Sequence, residues 1–256
     1  MTISKNKLKL IRSLAQKKYR DETGLFIAEG PKAVGDLVQA FECELIVATP
    51  AYFSNHPPAR AKEIIELDEG EFSKISMMKS AHEVMAVMRQ PGKASLPSDL
   101  QLKADTLQLA LDGVQDPGNL GTIIRIADWF GIENVFLSKD SADAFSPKTV
   151  QATMGALARV RTHRVDLPEL IRRADKDVEI IGTQLDGDDI YSTLLPKGGL
   201  VVMGNEGEGI SEAVKAMVSK RIRIPSFPPS RPTSESLNVA VATAITCAEF
   251  RRRQSR

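Results

Sequence analysis

From residue 106 onward, short apolar runs alternate with amphipathic stretches of helical length. The runs "TLQLALDGV" (106–114) and "NVFLS" (134–138) flank the helix-like stretch "GNLGTIIRIADWFG" (118–131), which is the usual size of a βαβ unit. More strands are predicted in "RVRTHRVD", "EIIGTQLDG", "LVVMGNE" and "RIRIP", and a long helix closes the chain. This alternation predicts an α/β fold, a mostly parallel sheet with helices on both faces. Ligands of such sheets bind outside the carboxyl ends of the strands.

The first 92 residues predict a smaller α/β domain. Strands are predicted in "GLFIAEG", "ELIVATP" and "HEVMAVMRQ", with a helix beginning near Pro31 and another in "SNHPPARAKEIIELD". Residues 93–105 contain proline and serine and are predicted to be a linker. The predicted domains are therefore 1–92 and 106–256.

Composition excludes several classes of protein. No apolar run approaches the roughly 18 residues that span a bilayer, so no membrane partner is expected. The two cysteines and three histidines lack metal-ligand spacing, so neither a metal site nor a disulfide is expected, and Cys43 and Cys247 are predicted to be inert core thiols. The basic N-terminus allows a mitochondrial transit peptide, but its Leu and Ile spacing favours a structural helix and a cytoplasmic protein.

The net charge of +1 is modest, yet the first 20 residues hold seven basic residues and no acid. Such a cluster suits RNA phosphates, and a solvated helix face explains it equally well. The candidate RNA-binding residues are Lys5, Lys7, Arg12, Lys17, Lys18 and Arg20. The arginines of the tail "RRRQSR" are predicted to be a solvated helix end.

Polar loops follow three of the C-terminal strands. In "LDGVQDPGNLGTIIR" a tight turn precedes a helix, but its spacing is not G-x-G-x-x-G. Arg125 lies near the start of that helix, where the helix dipole favours acids, which hints at a functional role. The loop "IRIPSFPPSRPTSESLN" holds four prolines, and Ser234 or Ser236 is a candidate helix N-cap.

The stretch "VVMGNEGEGI" (201–210) carries the third loop. Its glycines permit a tight turn, while Glu206 and Glu208 would repel a phosphate. A neutral or cationic ligand fits better, and S-adenosylmethionine has a positive sulfonium and no phosphate. Because the three loops hold no catalytic His, no Cys nucleophile and no metal cluster, a cofactor is expected to carry the difficult chemistry, as in methyl transfer.

In this order the loops "DPGNLGTIIRIA", "MGNEGEGIS" and "IRIP…SESLNVAVATAI" resemble the three motifs of the SpoU (TrmH-like) branch of SPOUT RNA methyltransferases. The segments "SKNKLKLIRSLAQKKYRDETGLFIAEGPKAV" and "EVMAVMRQP" resemble the ribosomal-protein-like substrate-binding domain that precedes many members. The resemblance implies a homodimer with a trefoil knot. It implies methyl transfer from S-adenosylmethionine, with S-adenosylhomocysteine as product, to a ribose 2′-hydroxyl of rRNA or tRNA. The N-terminal domain favours 23S rRNA.

The resemblance also implies roles for residues at matching positions. The catalytic candidates are Asn119, Arg125, Glu206, Ser236 and Asn238. The cofactor-binding candidates are Gly204, Ile224 and Leu237, with Thr183 and Leu185 at the end of the preceding strand. Whether Arg125 acts as a base or as a phosphate clamp is left open.

The chain departs from the family in its third motif. Ten residues, 226–235, separate Pro225 from Ser236, and the family's usual glycine is absent. Arg231 within this loop is a possible substrate contact. Two other functions compete with methyl transfer. One is a catalytically silent RNA-binding homologue that acts in ribosome assembly, and the other is a nicotinamide-dependent oxidoreductase, which the glycine spacing and the acidic loop disfavour.

Overall fold

The computed structural model describes residues 3–56, 60–78, 82–92, 101–228, 234 and 236–254. The chain divides into two compact units. The first comprises Met1–Ala94 with Asp143–Arg159, and the second comprises Ser95–Ala142 with Val160–Arg256. Thus 143–159, which the sequence-based division assigns to the C-terminal domain, is grouped with the N-terminal unit. Arg231 and most of the 93–105 linker lie outside the described residues.

The N-terminal unit is built on a four-stranded sheet of order β1-β4-β2-β3. Its strands are β1 (Leu25–Glu29), β2 (Cys43–Ala48), β3 (Glu63–Glu66) and β4 (Val84–Arg89). Its helices are α1 (Lys5–Ser13), α2 (Lys17–Thr23), α3 (Pro31–Leu37), α4 (Pro50–Asn55) and α5 (Glu69–Ile75), joined by α7 (Pro147–Thr153) from the later segment. Ile11, Leu14, Phe72 and Met85 belong to the cluster at its core.

The helix predicted in "SNHPPARAKEIIELD" is wrong. Residues 63–66 form β3, which pairs in parallel with β2 from Leu45 opposite Glu63 to Ala48 opposite Glu66. Ala, Lys and Glu are good helix formers, but helix propensity is worth less than about 1 kcal/mol per residue, and the free edge of β2 supplies backbone partners that outweigh it. Only Ile65 of the four residues is buried, as expected for a strand at a sheet edge.

The C-terminal unit is built on a six-stranded sheet of order β10-β8-β9-β5-β6-β7 in which every pairing is parallel. Its strands are β5 (Leu107–Leu111), β6 (Asn134–Leu137), β7 (Arg161–Arg164), β8 (Ile180–Asp189), β9 (Gly199–Met203) and β10 (Lys220–Arg223). Its helices are α6 (Pro117–Trp129), α8 (Leu167–Arg172), α9 (Glu212–Lys215) and α10 (Val239–Gln254). The predicted α/β fold, with a second smaller sheet, is confirmed. The knot stays a prediction.

The two central strands of this sheet, β5 and β9, are buried along their whole length. Such continuous apolar strands are typical of parallel sheets covered on both faces. Cys43 and Cys247 are both buried free thiols, and burial raises the pKa of Cys43 to about 11 and that of Cys247 to about 12. Neither thiol is therefore a nucleophile near neutral pH. No helix among the described residues is long and apolar enough to span a membrane.

Candidate active site

A cavity of about 380 Å³ lies beside the part of β8 that follows its pairing with β9 at Ile180–Gly182, where β9 and β10 end and α10 begins. The five residues predicted to bind a cofactor all line it, namely Thr183, Leu185, Gly204, Ile224 and Leu237. They come from three separate chain segments that meet because the carboxyl ends of parallel strands lie at one edge of the sheet. Leu185 and Leu237 are 78% and 46% exposed, so the cavity offers apolar surface that the protein itself does not cover.

The side chain of Asn205 shapes the glycine-rich turn 204–210. Its Oδ1 accepts hydrogen bonds from the backbone N–H groups of Gly207 (2.8 Å) and Glu208 (3.1 Å). The backbones of Asn205 and Gly209 also bond to each other in both directions. Because these N–H groups already have acceptors, the turn is not a phosphate cradle of free amides.

Hydrogen bonds between side chains and the backbone hold this turn against the sheet. Asn205 Nδ2 donates to the carbonyl of Gly113 at 2.8 Å, and Asp112 Oδ2 accepts from the N–H of Ser211 at 2.8 Å. A Cβ at Gly204 would lie 2.3 Å from the carbonyl carbon of Gly209. Glycine at 204 is therefore required by the fold of the turn itself, apart from any contact with a cofactor.

Three of the predicted catalytic residues form one hydrogen-bonded cluster. Asn119 Nδ2 donates to Glu206 Oε1 at 2.6 Å, and Asn238 Nδ2 donates to Asn119 Oδ1 at 3.0 Å. The structure therefore brings together residues 87 and 119 positions apart in the sequence. Oδ1 of Asn238 accepts from the N–H groups of Ala240 and Val241 at the start of α10. Both amides are held in one orientation, with Asn238 donating to Asn119 and Asn119 donating to the Glu206 carboxylate.

Local capping places Asn119 in this cluster. Asp116 is the N-cap of α6, and its Oδ1 accepts from the backbone N–H of Asn119 at 2.8 Å, with Pro117 in the first turn. Ser236 is more distant, since its Oγ reaches the carbonyl of Glu206 only at 3.5 Å.

Arg125 stands apart from the cluster. It is the ninth of the 13 residues of α6, so the prediction that it lies near the helix start is wrong, and it lies about 240° around the helix axis from Asn119. Its side chain is exposed and makes no hydrogen bond or ion pair within the described part of the chain. It therefore presents a free guanidinium to a ligand in solution.

Several cavity residues were missed by the sequence reasoning. Asn205 had a signal, because Asn before Gly is typical of a turn that the side chain closes. Gln184 and Thr246 had none, yet both line the cavity, and the Gln184 amide and Thr246 Oγ1 are buried without a hydrogen-bond partner in the described chain. Arg223 and Glu208 also line it.

The predicted RNA-binding residues of the N-terminal unit differ in exposure and in their contacts within the protein. Lys5, Lys17 and Lys18 are exposed. Lys7 is ion-paired with Glu63, and Arg12 donates to the carbonyl of Lys74 at 3.1 Å.

Arg20 does not lie on the surface, which corrects the expectation of an RNA contact there. It is 3% exposed, and its guanidinium donates to Asp143 Oδ2 and to the carbonyls of Leu14 and Ala15. A buried charge needs such partners, and four of the five N–H donors of Arg20 are engaged within the protein. Among the described residues no group of His, Cys, Asp and Glu side chains is arranged to hold a metal ion.

Residues 106–248 match the family model described as the SpoU rRNA Methylase family. The chain belongs to this family. Residues 5–86 of this SpoU-family chain match a second model, the MRM3-like substrate binding domain. The predicted family, read from three motifs and the N-terminal segment, is confirmed. The chain is thus grouped with RNA methyltransferases.

Two 23S rRNA methyltransferases are similar to the SpoU-family chain. It is 29% identical over 252 residues to the 23S rRNA (guanosine(2553)-2′-O)-methyltransferase RlmP of Bacillus subtilis (strain 168), covering 96% of both chains. It is 33% identical over 156 residues to the 23S rRNA (guanosine-2′-O-)-methyltransferase RlmB of Neisseria meningitidis serogroup B, covering 60% of this chain and 61% of that protein.

Solved structures agree with this grouping. The AdoMet-bound rRNA methyltransferase from Sinorhizobium meliloti is 32% identical, with a TM-score of 0.83 over 99% of this chain and 97% of that one. A TrmH-family structure from Porphyromonas gingivalis is 42% identical, with a TM-score of 0.86 over 99% of this chain and 100% of that one.

Proposed function

We propose that the protein transfers a methyl group from S-adenosylmethionine to a ribose 2′-hydroxyl of structured RNA, and of 23S rRNA rather than tRNA. The hydrogen-bonded cluster of Asn119, Glu206 and Asn238 beside the cavity carries this proposal. It joins the three motifs of a family of rRNA methylases, and a silent RNA-binding homologue has no use for such a cluster. The named relatives RlmP and RlmB are 23S rRNA 2′-O-methyltransferases, which supports the choice of ribose and of 23S rRNA.

The cavity fits the chemistry of this cofactor. The turn 204–210 carries two carboxylates, and its N–H groups at Gly207 and Glu208 already have an acceptor, which disfavours a phosphate and suits a positive sulfonium. The exposed apolar side chains of Leu185 and Leu237 suit the adenine ring. With Thr183, Gly204 and Ile224 they form the proposed cofactor-binding set.

The protein's own residues orient the 2′-hydroxyl of the substrate and accept its proton. When bound, S-adenosylmethionine supplies an electrophilic methyl group on a sulfonium that leaves as a neutral thioether. Asn119 occupies Oε1 of Glu206, which leaves Oε2 as an acceptor for the hydroxyl proton. Arg125 holds a substrate phosphate, since a guanidinium is a poor base and its fork of N–H donors fits a phosphate. Ser236 borders the same cluster.

The exposed lysines of the N-terminal unit are the proposed RNA contacts. Lys5, Lys17 and Lys18 are exposed, and the ion pair of Lys18 with Glu22 is long, at 3.9 Å. Lys7 and Arg12 contribute less because they are engaged within the protein, and Arg20 is excluded by burial.

A homodimer through the C-terminal unit is part of the proposal. Trp129 on α6 is 85% exposed, and Val241 on α10 is 48% exposed. Exposed apolar side chains on two neighbouring helices mark an interaction surface. Trp129→Asp is expected to convert a dimer into a monomer in sedimentation analysis. A wild-type chain that sediments as a monomer at micromolar concentration would refute this part.

Methyl transfer in vitro tests the function. Purified protein is incubated with methyl-labelled S-adenosylmethionine and with either 23S rRNA or bulk tRNA. Label is expected in 23S rRNA, in dinucleotides that resist alkaline hydrolysis because a methylated 2′-oxygen cannot attack the phosphate. Label in a base, label in tRNA alone, or RNA binding without transfer would each contradict the proposal.

A further inference from the structure

The charged side chains that line the cavity do not all have protein partners. Asp186 pairs with Arg221 at 3.1 Å, and Glu212 pairs with Lys215 at 3.4 Å, so these charges are compensated. Glu206 bonds to the amide of Asn119, which is neutral and does not compensate the carboxylate. The side chains of Glu208 and Arg223 form no hydrogen bond or ion pair with any residue that the structure describes.

Three uncompensated charges therefore face the cavity, two negative and one positive. Arg223 is the last residue of β10, and Glu208 lies in the turn 204–210, and both are exposed. Arg221, two residues earlier on the same strand, is neutralised by Asp186 and does not line the cavity. Of the two arginines at this end of β10, Arg221 is paired within the protein, and Arg223 is without a partner among the described residues.

S-adenosylmethionine carries the opposite set of charges near neutral pH: a sulfonium, an α-ammonium group and a carboxylate. We propose that Arg223 binds the carboxylate of the cofactor's amino-acid arm and that Glu208 binds its ammonium group. A guanidinium presents parallel N–H donors that match the two oxygens of a carboxylate. Glu206, fixed by Asn119, remains with the sulfonium and the hydroxyl. This inference rests on the proposed function, because it assumes the same cofactor.

The consequence is selectivity for the whole cofactor. A ligand that has the adenosine and the sulfur but lacks the amino-acid arm finds the apolar surface and misses both charged contacts. Since both side chains are exposed, each contact is screened by salt, and about a tenfold change in affinity is expected for each.

Calorimetric titration with S-adenosylhomocysteine and with 5′-methylthioadenosine tests the inference. The second ligand is uncharged and lacks the arm. Arg223→Gln is expected to weaken S-adenosylhomocysteine about tenfold and to leave methylthioadenosine unchanged, and Glu208→Gln is expected to behave likewise. Arg221→Gln is the matched control and is expected to change neither affinity by more than about twofold, because that charge is already paired.

The other outcomes are separable. If Arg223→Gln weakens both ligands equally, or neither, the carboxylate contact is overturned. If it leaves both unchanged and lowers the affinity for rRNA, the guanidinium binds a phosphate of RNA, and the inference is also overturned. If the wild-type protein binds neither ligand, the proposed cofactor fails and this inference fails with it.

Discussion

Arg20 on α2 of the N-terminal unit and Arg125 on α6 of the C-terminal unit are both helical arginines, and they differ in what surrounds them. Arg20 is 3% exposed and donates to one carboxylate and two carbonyls. Arg125 is exposed, and its guanidinium has no partner in the described chain. Positive charge in a sequence thus indicates a ligand contact only where the fold leaves the charge without an acceptor.

The C-terminal unit also contains arginines whose donors are used within the protein. Arg164 donates to the carbonyls of four residues in the loop 138–142, and Arg253 donates to three carbonyls between residues 190 and 193. Arg253 is one of the tail arginines predicted to be a solvated helix end. It instead fastens the loop after β8, so the sequence reasoning missed its structural role.

The largest expected effect comes from breaking the interior contact of Arg20. Arg20→Met leaves Asp143 without its cation and two carbonyls without their donor, so a loss of about 3 kcal/mol in the free energy of unfolding is expected. Denaturant unfolding of the full chain measures it. Lys17→Met, at an exposed site on the same helix, is the control and is expected to change stability by less than about 0.5 kcal/mol. Equal stability of the two variants would contradict the interior role.

Replacement of the exposed Arg125 is expected to lower activity and to leave stability unchanged. Arg125→Ala should lower kcat/KM for RNA by about tenfold to a hundredfold, the value of hydrogen bonds to a charged group, without a change in the unfolding midpoint. Arg125→Lys separates charge from geometry. Full activity in the lysine variant would show that charge suffices and that the guanidinium fork is not needed.

A pH experiment sharpens the contrast at the end of α10. Ion-paired hydrogen bonds from Arg252 and Arg253 lower the pKa of Glu249 from 4.5 to about 2. A carboxyl group with a depressed pKa in the folded state stabilises above its unfolded pKa, and this stabilisation is lost as the pH falls through the window from 4.5 toward 2. Thermal unfolding should therefore show a smaller fall in midpoint below pH 5 for Glu249→Gln than for the wild type. Parallel pH profiles would contradict this.

The smallest effect is expected where an arginine has a weak partner and no role at the site. Arg161 lies 4.0 Å from Glu133, and both side chains are more than 70% exposed. Arg161→Gln should change the free energy of unfolding by less than about 0.5 kcal/mol. It should leave the methyl-transfer activity unchanged. A large loss of activity would place an RNA contact at this edge of the sheet.

The parts of the molecule that follow local rules could be predicted from the sequence. Period and length predict the strands of the parallel sheet, and the helix-like stretch 118–131 agrees with α6 to within two residues at each end. The loops that meet at the site were found because their glycines and polar residues follow strand ends.

The rest depends on contacts distant in sequence. The strand character of residues 63–66 comes from the free edge of β2, and the burial of Arg20 comes from Asp143, 123 residues away. The bond between Asn119 and Glu206 spans 87 residues. No spacing pattern records which acceptor lies beside a given donor after folding.

Residues 143–159 complete the N-terminal unit although they are encoded after the first two strands of the parallel sheet. Phe145 lies against Phe26, with ring centroids 5.0 Å apart, and Asp143 neutralises Arg20. During synthesis, Phe26 and Arg20 of the N-terminal unit therefore lack their partners Phe145 and Asp143 until this segment leaves the ribosome. The order of assembly thus departs from the order of translation, and a fragment ending near residue 92 would expose the surface that Phe145 covers.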